Sequence, residues 1–220
     1  MGKVLQVGDE TFISPYKYAP VIAPSKEHTT AVIGSLCGKD RLQVIANYAC
    51  KCQMLEGEFW ECGVFNGGSA ALIAQCAHPD TTVRLFDSFE GISEPTQEDK
   101  NVTGWEAPME KGEWKGVVGN VVAMMPRSCT IHKGWIPETF NGLENCKIAF
   151  AHVDVDLYQP IKDCLLFILP RLVSGGVVIV DDFGYPRNPG VEKAVREVLP
   201  PDFHGHNEAD WQLILYRVEP

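Results

Sequence analysis

From Gly57 onward the chain alternates short, nearly uninterrupted apolar runs with helix-forming stretches, and this alternation limits the fold more than any other feature. The runs EFWECGV, TVRLFD, CTIHKG, KIAFAHVDV and GGVVIVDD read as strands. Between them SAALIAQCA, a stretch opening near Pro160 and GVEKAVREVL read as helices. Proline suits a first helical turn, where its missing N–H has no partner to lose. Strands that are apolar on both faces must be covered on both, as crossover helices do in a parallel sheet. The expected architecture is α/β, doubly wound about a mostly parallel sheet. Ahead of Gly57, polar and proline-containing stretches precede one helix over Lys39–Met54, with apolar residues near helical spacing. The tail offers two strands, around Phe203 and over Trp211–Val218, as a terminal antiparallel pair. This divides the chain into a short helical or lid segment, 1–55, and a main domain, 56–220.

Open sheets of this kind bind ligands beyond the carboxyl ends of their strands, so the strand-end residues are the informative ones. The first ends in Glu61-Cys62-Gly63-Val64-Phe65-Asn66-Gly67-Gly68 and runs into a helix. Glycines allow a sharp turn and a close approach to a ligand, and the helix N-terminus behind them favours an anionic group. The dinucleotide pattern G-x-G-x-x-G is absent, which argues against a nicotinamide enzyme. The second strand ends at Asp87, where a carboxylate can accept hydrogen bonds from both ribose hydroxyls of a nucleoside.

The fourth strand ends in His152-Val153-Asp154-Val155-Asp156 and the fifth in Asp181-Asp182. Strand alternation points His152, Asp154 and Asp156 the same way, so up to four carboxylates converge at one edge. Like charges oppose each other's ionisation. A hard divalent cation resolves that conflict, and oxygen-only ligands suit Mg²⁺ or Mn²⁺ over zinc. Simpler roles compete. Asp156 suits a cap for the helix that follows. His152 suits a hydrogen-bonded core position, and Trp105, Trp114 and Trp135 are core material before they are pocket walls.

The formal net charge of −10 disfavours a nucleic-acid or anionic-membrane partner. Several of the eight cysteines, such as Cys62 and Cys164, sit within apolar runs and act there as small hydrophobes. Cys50 and Cys52 have no second pair at zinc spacing. With no signal-like start and no membrane-length apolar run, the expected setting is a reducing cytoplasm.

The blocks ECGVFNGGSA, LFDSFEG, HKGWIPETF, HVDVDLYQP and GGVVIVDDFG resemble the TylF-type macrocin O-methyltransferases, over Gly57 to about Leu199. That group includes enzymes acting on sugar hydroxyls of macrolide and aminocoumarin antibiotics. The resemblance implies a seven-stranded class I methyltransferase sheet with an antiparallel last strand. It also implies S-adenosylmethionine as methyl donor, a divalent metal such as Mg²⁺, and a small hydroxylated acceptor, with homo-oligomerisation left open. By resemblance the cofactor's methionine end lies near Glu61, Gly63 and Gly67, its ribose near Asp87, and its nucleoside near Ser88 and Gly134-Trp135. Asp154, Asp181 and Asp182 match metal ligands and Asp156 the general base. The chain departs from the pattern at Phe65-Asn66, where relatives carry a larger residue and arginine, and at Val155, where glycine is common. Two other readings stand beside this one. A catechol-like phenol would also chelate Mg²⁺ as acceptor. A haloacid-dehalogenase-type phosphatase also uses D-x-D followed by DD, although Tyr158 stands where such enzymes carry Thr or Val.

Overall fold

The computed structural model describes residues 3–7, 10–14, 35–100 and 107–218; Trp105 lies outside them. The elements run β1 (Lys3–Val7), β2 (Glu10–Ser14), α1 (Lys39–Cys52), β3 (Glu58–Cys62), α2 (Gly68–Cys76), β4 (Val83–Asp87) and α3 (Val118–Met124). They continue β5 (Thr130–Lys133), β6 (Ile148–Val153), α4 (Tyr158–Ile168), β7 (Leu172–Val180), α5 (Pro189–Val198), β8 (Phe203–Ala209) and β9 (Gln212–Arg217). One sheet takes the order β2-β1-β5-β4-β3-β6-β7-β9-β8. Strands β3 to β7 pair in parallel, and β9 runs antiparallel to both β7 and β8.

The alternation that announces strands also sorts the core into two layers. Phe59, Leu85, Phe150 and Ile179 face one way and pack with Ile45 of α1 and Leu72 and Ile73 of α2. Their neighbours Trp60, Phe86, Ala151, Val178 and Val180 face the other way, against Ile161 and Leu165 of α4 and Val191 and Val195 of α5. Helices therefore cover both faces, as near-continuous apolar strands require. The strand order turns about β3, which pairs with β4 on one side and β6 on the other. That junction is the crevice where such sheets take ligands.

Strands β3 to β9 make up the expected seven, with the terminal antiparallel pair in place. The structure adds two more. β1 and β2 form an antiparallel hairpin whose first strand pairs with β5, extending the sheet to nine. The sequence reading assigned no strand before Gly57, because these two are short. All eight cysteines are free thiols, and among the described residues no helix is long and apolar enough to cross a membrane.

Candidate active site

The turn after β3 is built against β6. Gly63 has φ +87°, and a Cβ there would lie 1.7 Å from the Asp154 carbonyl oxygen. Asp154 in turn donates its N–H to the Cys62 carbonyl at 2.8 Å. Phe65 also takes a left-handed backbone, φ +50°, and Gly67 (φ +89°) stands at the start of α2 with Val121 close behind it. Asp87 at the end of β4 fixes this turn from the side. Its Oδ2 accepts from the backbone N–H of Val64 (2.8 Å) and Phe65 (2.9 Å), and its Oδ1 from Phe89 (2.6 Å). Oδ2 is filled by its two N–H donors, so one accepting site remains, on Oδ1, and Asp87 lies on the wall of a cavity of about 630 Å³.

Gly63, Ser88, Gly134, Trp135, Asp154, Asp156 and Asp182 line the same cavity. Ser88 Oγ closes the following turn, donating to Gly91 O (2.9 Å) and accepting from Glu90 N (3.0 Å). Gly134 donates its N–H to Asp87 O at 3.0 Å, which joins the β5 loop to the β4 end. Trp114, with φ +57°, and the half-exposed Trp135 face this cavity rather than the core. Glu61 and Gly67 sit behind the wall. Glu61 is fully buried, and its Oε1 lies 3.0 Å from His152 Nδ1. His152 is itself a buried, hydrogen-bonded residue, as its apolar strand suggests.

The carboxylates group differently from the expected set. Asp154, Asp156 and Asp182 bring one oxygen each to within 4.8 Å of the others. Asp181 turns inward instead, because it continues the alternation of Ile179 while Val180 faces the opposite layer. There it accepts from Gln212 Nε2 at 2.6 Å and faces His152 Nε2 at 3.5 Å. Asp156 does not cap α4: Leu157 holds the cap position, without a side-chain cap bond. Both Asp156 (φ +63°) and Asp182 (φ +61°) are left-handed, a conformation that costs an L-residue about 1–2 kcal/mol.

Burial, then the facing carboxylates Asp181, Asp182 and Asp156, hold the Asp154 carboxyl well above its ordinary range. Burial and Asp182 push Asp156 up to about 8. Asp182 is raised by burial and Asp181, against the opposing pull of Arg41. Burial also works to raise Asp181, but His152 and Arg41 outweigh it and hold its carboxyl below the usual range. Three mutually repelling carboxylates at one point are what a bound divalent cation would relieve, so the residues fit an oxygen-ligated ion.

Several contributors escape a reading of strand ends. Asn188 Nδ2 donates to Asp156 O (3.0 Å) and Oδ1 (3.2 Å) and lies 3.4 Å from Asp182 Oδ2. Its place just before Pro189 marks only a helix start. Arg41 of α1 reaches Asp182 Oδ1 at 3.0 Å and Asp181 Oδ2 at 3.5 Å. Cys37, just ahead of that helix, brings Sγ to 3.4 Å from Asp181 and 3.7 Å from Asp154. No local pattern ties these two to strand ends more than a hundred residues away.

Comparison with known proteins places the chain in context. The family model described as macrocin-O-methyltransferase (TylF) matches residues 25–200. The chain is 32% identical over 145 residues to the 8-demethyl-8-(2,3-dimethoxy-alpha-L-rhamnosyl)-tetracenomycin-C 4'-O-methyltransferase of Streptomyces olivaceus, a match covering 58% of this chain and 53% of that protein. It is 27% identical over 165 residues to the mycinamicin III 3''-O-methyltransferase of Micromonospora griseorubida, covering 68% and 62%. The chain thus spans just over half the length of these curated relatives. The O-methyltransferase NovP shares the fold, with a TM-score of 0.70 at 21% identity, over 84% of this chain and 83% of that one.

Proposed function

The chain belongs to the macrocin-O-methyltransferase (TylF) family, and on that premise we propose that it transfers a methyl group from S-adenosylmethionine to a hydroxyl oxygen, a sugar hydroxyl of a natural product, with a divalent metal such as Mg²⁺. The observation that carries this reading is the oxygen trio Asp154, Asp156 and Asp182, set in one cavity with the glycine turn and Asp87. The sugar acceptors named for the relatives give the substrate class.

In this reading S-adenosylmethionine supplies an activated methyl group and the divalent ion acidifies the acceptor hydroxyl. Gly63 lets the turn press against Asp154 and so shape the cofactor wall, and Gly67 opens α2 directly behind it. Asp87 serves two roles, shaping the turn through three backbone N–H groups and accepting from one ribose hydroxyl through the site left on Oδ1. Ser88, Gly134 and Trp135 form the nucleoside wall. Asp154 and Asp182 hold the ion, with Asp181 as a buried partner of the same edge. Asp156 takes the proton of the acceptor hydroxyl as general base. Its carboxylate is kept in place by Asn188, and its raised affinity for a proton matches that task. Because the donor and acceptor are held in one cavity, much of the rate gain is positional. Ser35, Leu36, Cys37 and Gly38, ahead of α1 and on the cavity wall, cover the acceptor, and the acceptor is a small molecule in the cytoplasm.

The test is turnover with a panel of glycosylated natural products, S-adenosylmethionine and Mg²⁺. Asp182→Asn is expected to abolish metal-dependent turnover while still titrating with the cofactor. Full activity of the parent protein in excess chelator would refute the metal role, and no cofactor binding at all would refute the whole reading.

A further inference from the structure

The segment between β4 and α3 lines the cavity with Ile92, Ser93 and Met109, and it also reaches the backbone that carries Asp156. Its Asp99 is buried, only 3% exposed, and the methyl-transfer reading gives it no task. Asp99 Oδ1 accepts from the N–H of Tyr158 at 2.7 Å, and Oδ2 accepts from Thr96 N at 2.8 Å and Thr96 Oγ1 at 2.7 Å. We propose that Asp99 is a positioning residue for Asp156: it caps α4 from the cavity wall and so fixes the carboxylate that takes the acceptor's proton. The inference rests on the general-base role given to Asp156 above.

The start of α4 has no cap of its own. The first N–H groups of a helix find no partner within it, and Leu157 at the cap position makes no side-chain cap bond. Asp99 supplies an acceptor from 59 residues upstream. The backbone just ahead is strained. Asp156 has φ +63°, and Leu157 N donates to Val155 O at 2.7 Å, closing a three-residue turn around it. Such a conformation persists only where the surroundings hold it. Leu157 is buried with Ile92 and Met109. Asn188, which donates to the Asp156 carboxylate, lies 3.7 Å from Met109 Sδ. One wall segment therefore touches both the residues that follow Asp156 and the amide that holds its side chain.

Gly190 of α5 closes the junction. A Cβ there would fall 2.1 Å from Asp99 Oδ1, 2.7 Å from Tyr158 Cβ and 3.0 Å from Tyr158 N. Glycine at that position is what admits the Asp99 carboxyl between the starts of α4 and α5. Ile92 and Met109 face the cavity while Asp99 holds α4. An acceptor seated against this wall is thus placed relative to the same segment that places its base, and such shared placement is a source of positional rate gain.

The test compares Asp99→Ala, Asp99→Asn and Gly142→Ala with the parent. Amide exchange of the metal-free protein needs no methyl transfer. The Tyr158 N–H should lose protection in Asp99→Ala and keep it in Asp99→Asn, whose carbonyl oxygen still accepts. In turnover with S-adenosylmethionine and Mg²⁺, kcat should fall about 10–100-fold in Asp99→Ala, with KM for S-adenosylmethionine unchanged and most of the loss recovered in Asp99→Asn. Gly142→Ala, destabilised outside this junction, should keep the parent kcat. Gly190→Ala, which displaces the carboxyl without altering it, should reproduce the loss. If Asp99→Ala does not fold, Thr96→Val, which loses only the hydroxyl bond, gives the same two readings on a smaller scale. A Tyr158 amide that exchanges no faster in Asp99→Ala, or a parent-like kcat once that amide is exposed, overturns the proposal. A parent protein without methyl transfer refutes the function proposed above instead, and the exchange comparison still decides whether Asp99 holds α4.

Discussion

Replacing Gly63 with alanine asks whether the turn after β3 and the metal edge are one mechanical unit. Two costs apply. At φ +87° an L-residue is strained by ~1–2 kcal/mol. The new Cβ would also sit 1.7 Å from the Asp154 carbonyl oxygen, where the neighbour is backbone and cannot swing aside. Such overpacking adds ~1–3 kcal/mol, for a total of about 2–5 kcal/mol. Gly142 is the control. Its φ is +83°, yet a Cβ there would meet nothing within 4 Å. Gly142→Ala should therefore show the conformational cost alone, ~1–2 kcal/mol. Urea unfolding of the three proteins measures the difference, and thermal unfolding should place Gly63→Ala about 4–20 °C below the parent. Because the strain lands on Asp154, the stabilisation gained from added Mg²⁺ should shrink in Gly63→Ala and persist in Gly142→Ala. If the two variants lose stability equally, within ~0.5 kcal/mol, the turn does not press on Asp154 and the argument fails.

Three further outcomes are expected. Asp156 keeps its proton in the folded chain up to about 8 but loses it in the unfolded chain near 3.8. Between those values the native state binds more protons, so stability without metal should fall as pH rises from about 4 to about 8. Asp154 and Asp182, also raised, act in the same direction. Saturating Mg²⁺ should flatten that slope and, at a hundred times its dissociation constant, add ~2.7 kcal/mol; denaturant titrations across pH with and without the ion read both effects. Asp87→Ala leaves the N–H groups of Val64, Phe65 and Phe89 without their side-chain acceptor. It should cost ~1–3 kcal/mol and weaken cofactor binding more than tenfold, seen by calorimetry, with metal affinity less affected. Asn188→Ala, which frees Asp156, should lower kcat more than it raises KM for the acceptor.

The sheet was legible because its strands are apolar on both faces, a pattern few other elements produce. The glycine turn was legible because Gly63 and Gly67 occupy backbone conformations that other residues resist. What strand-end reading missed was orientation. Asp181 and Asp182 look equivalent as a doublet, yet counting alternation back to Ile179 and Val180 would have turned Asp181 toward the α1 layer. The contributions of Cys37 and Arg41 were beyond such counting, since α1 is brought to the β6 and β7 ends only by packing of the sheet's upper layer. The β1–β2 hairpin went unread because five-residue strands carry little periodic signal.

The left-handed backbones of Phe65, Asp156 and Asp182 bear on how such a chain evolves. Glycine or asparagine would relax all three positions, so random substitution offers an easy path to a sturdier protein that has lost its acidic edge. A lineage screened for thermal robustness alone would drift along that path. Persistence of aspartate at 156 and 182 in such a lineage would register selection for chemistry against the scaffold's own preference.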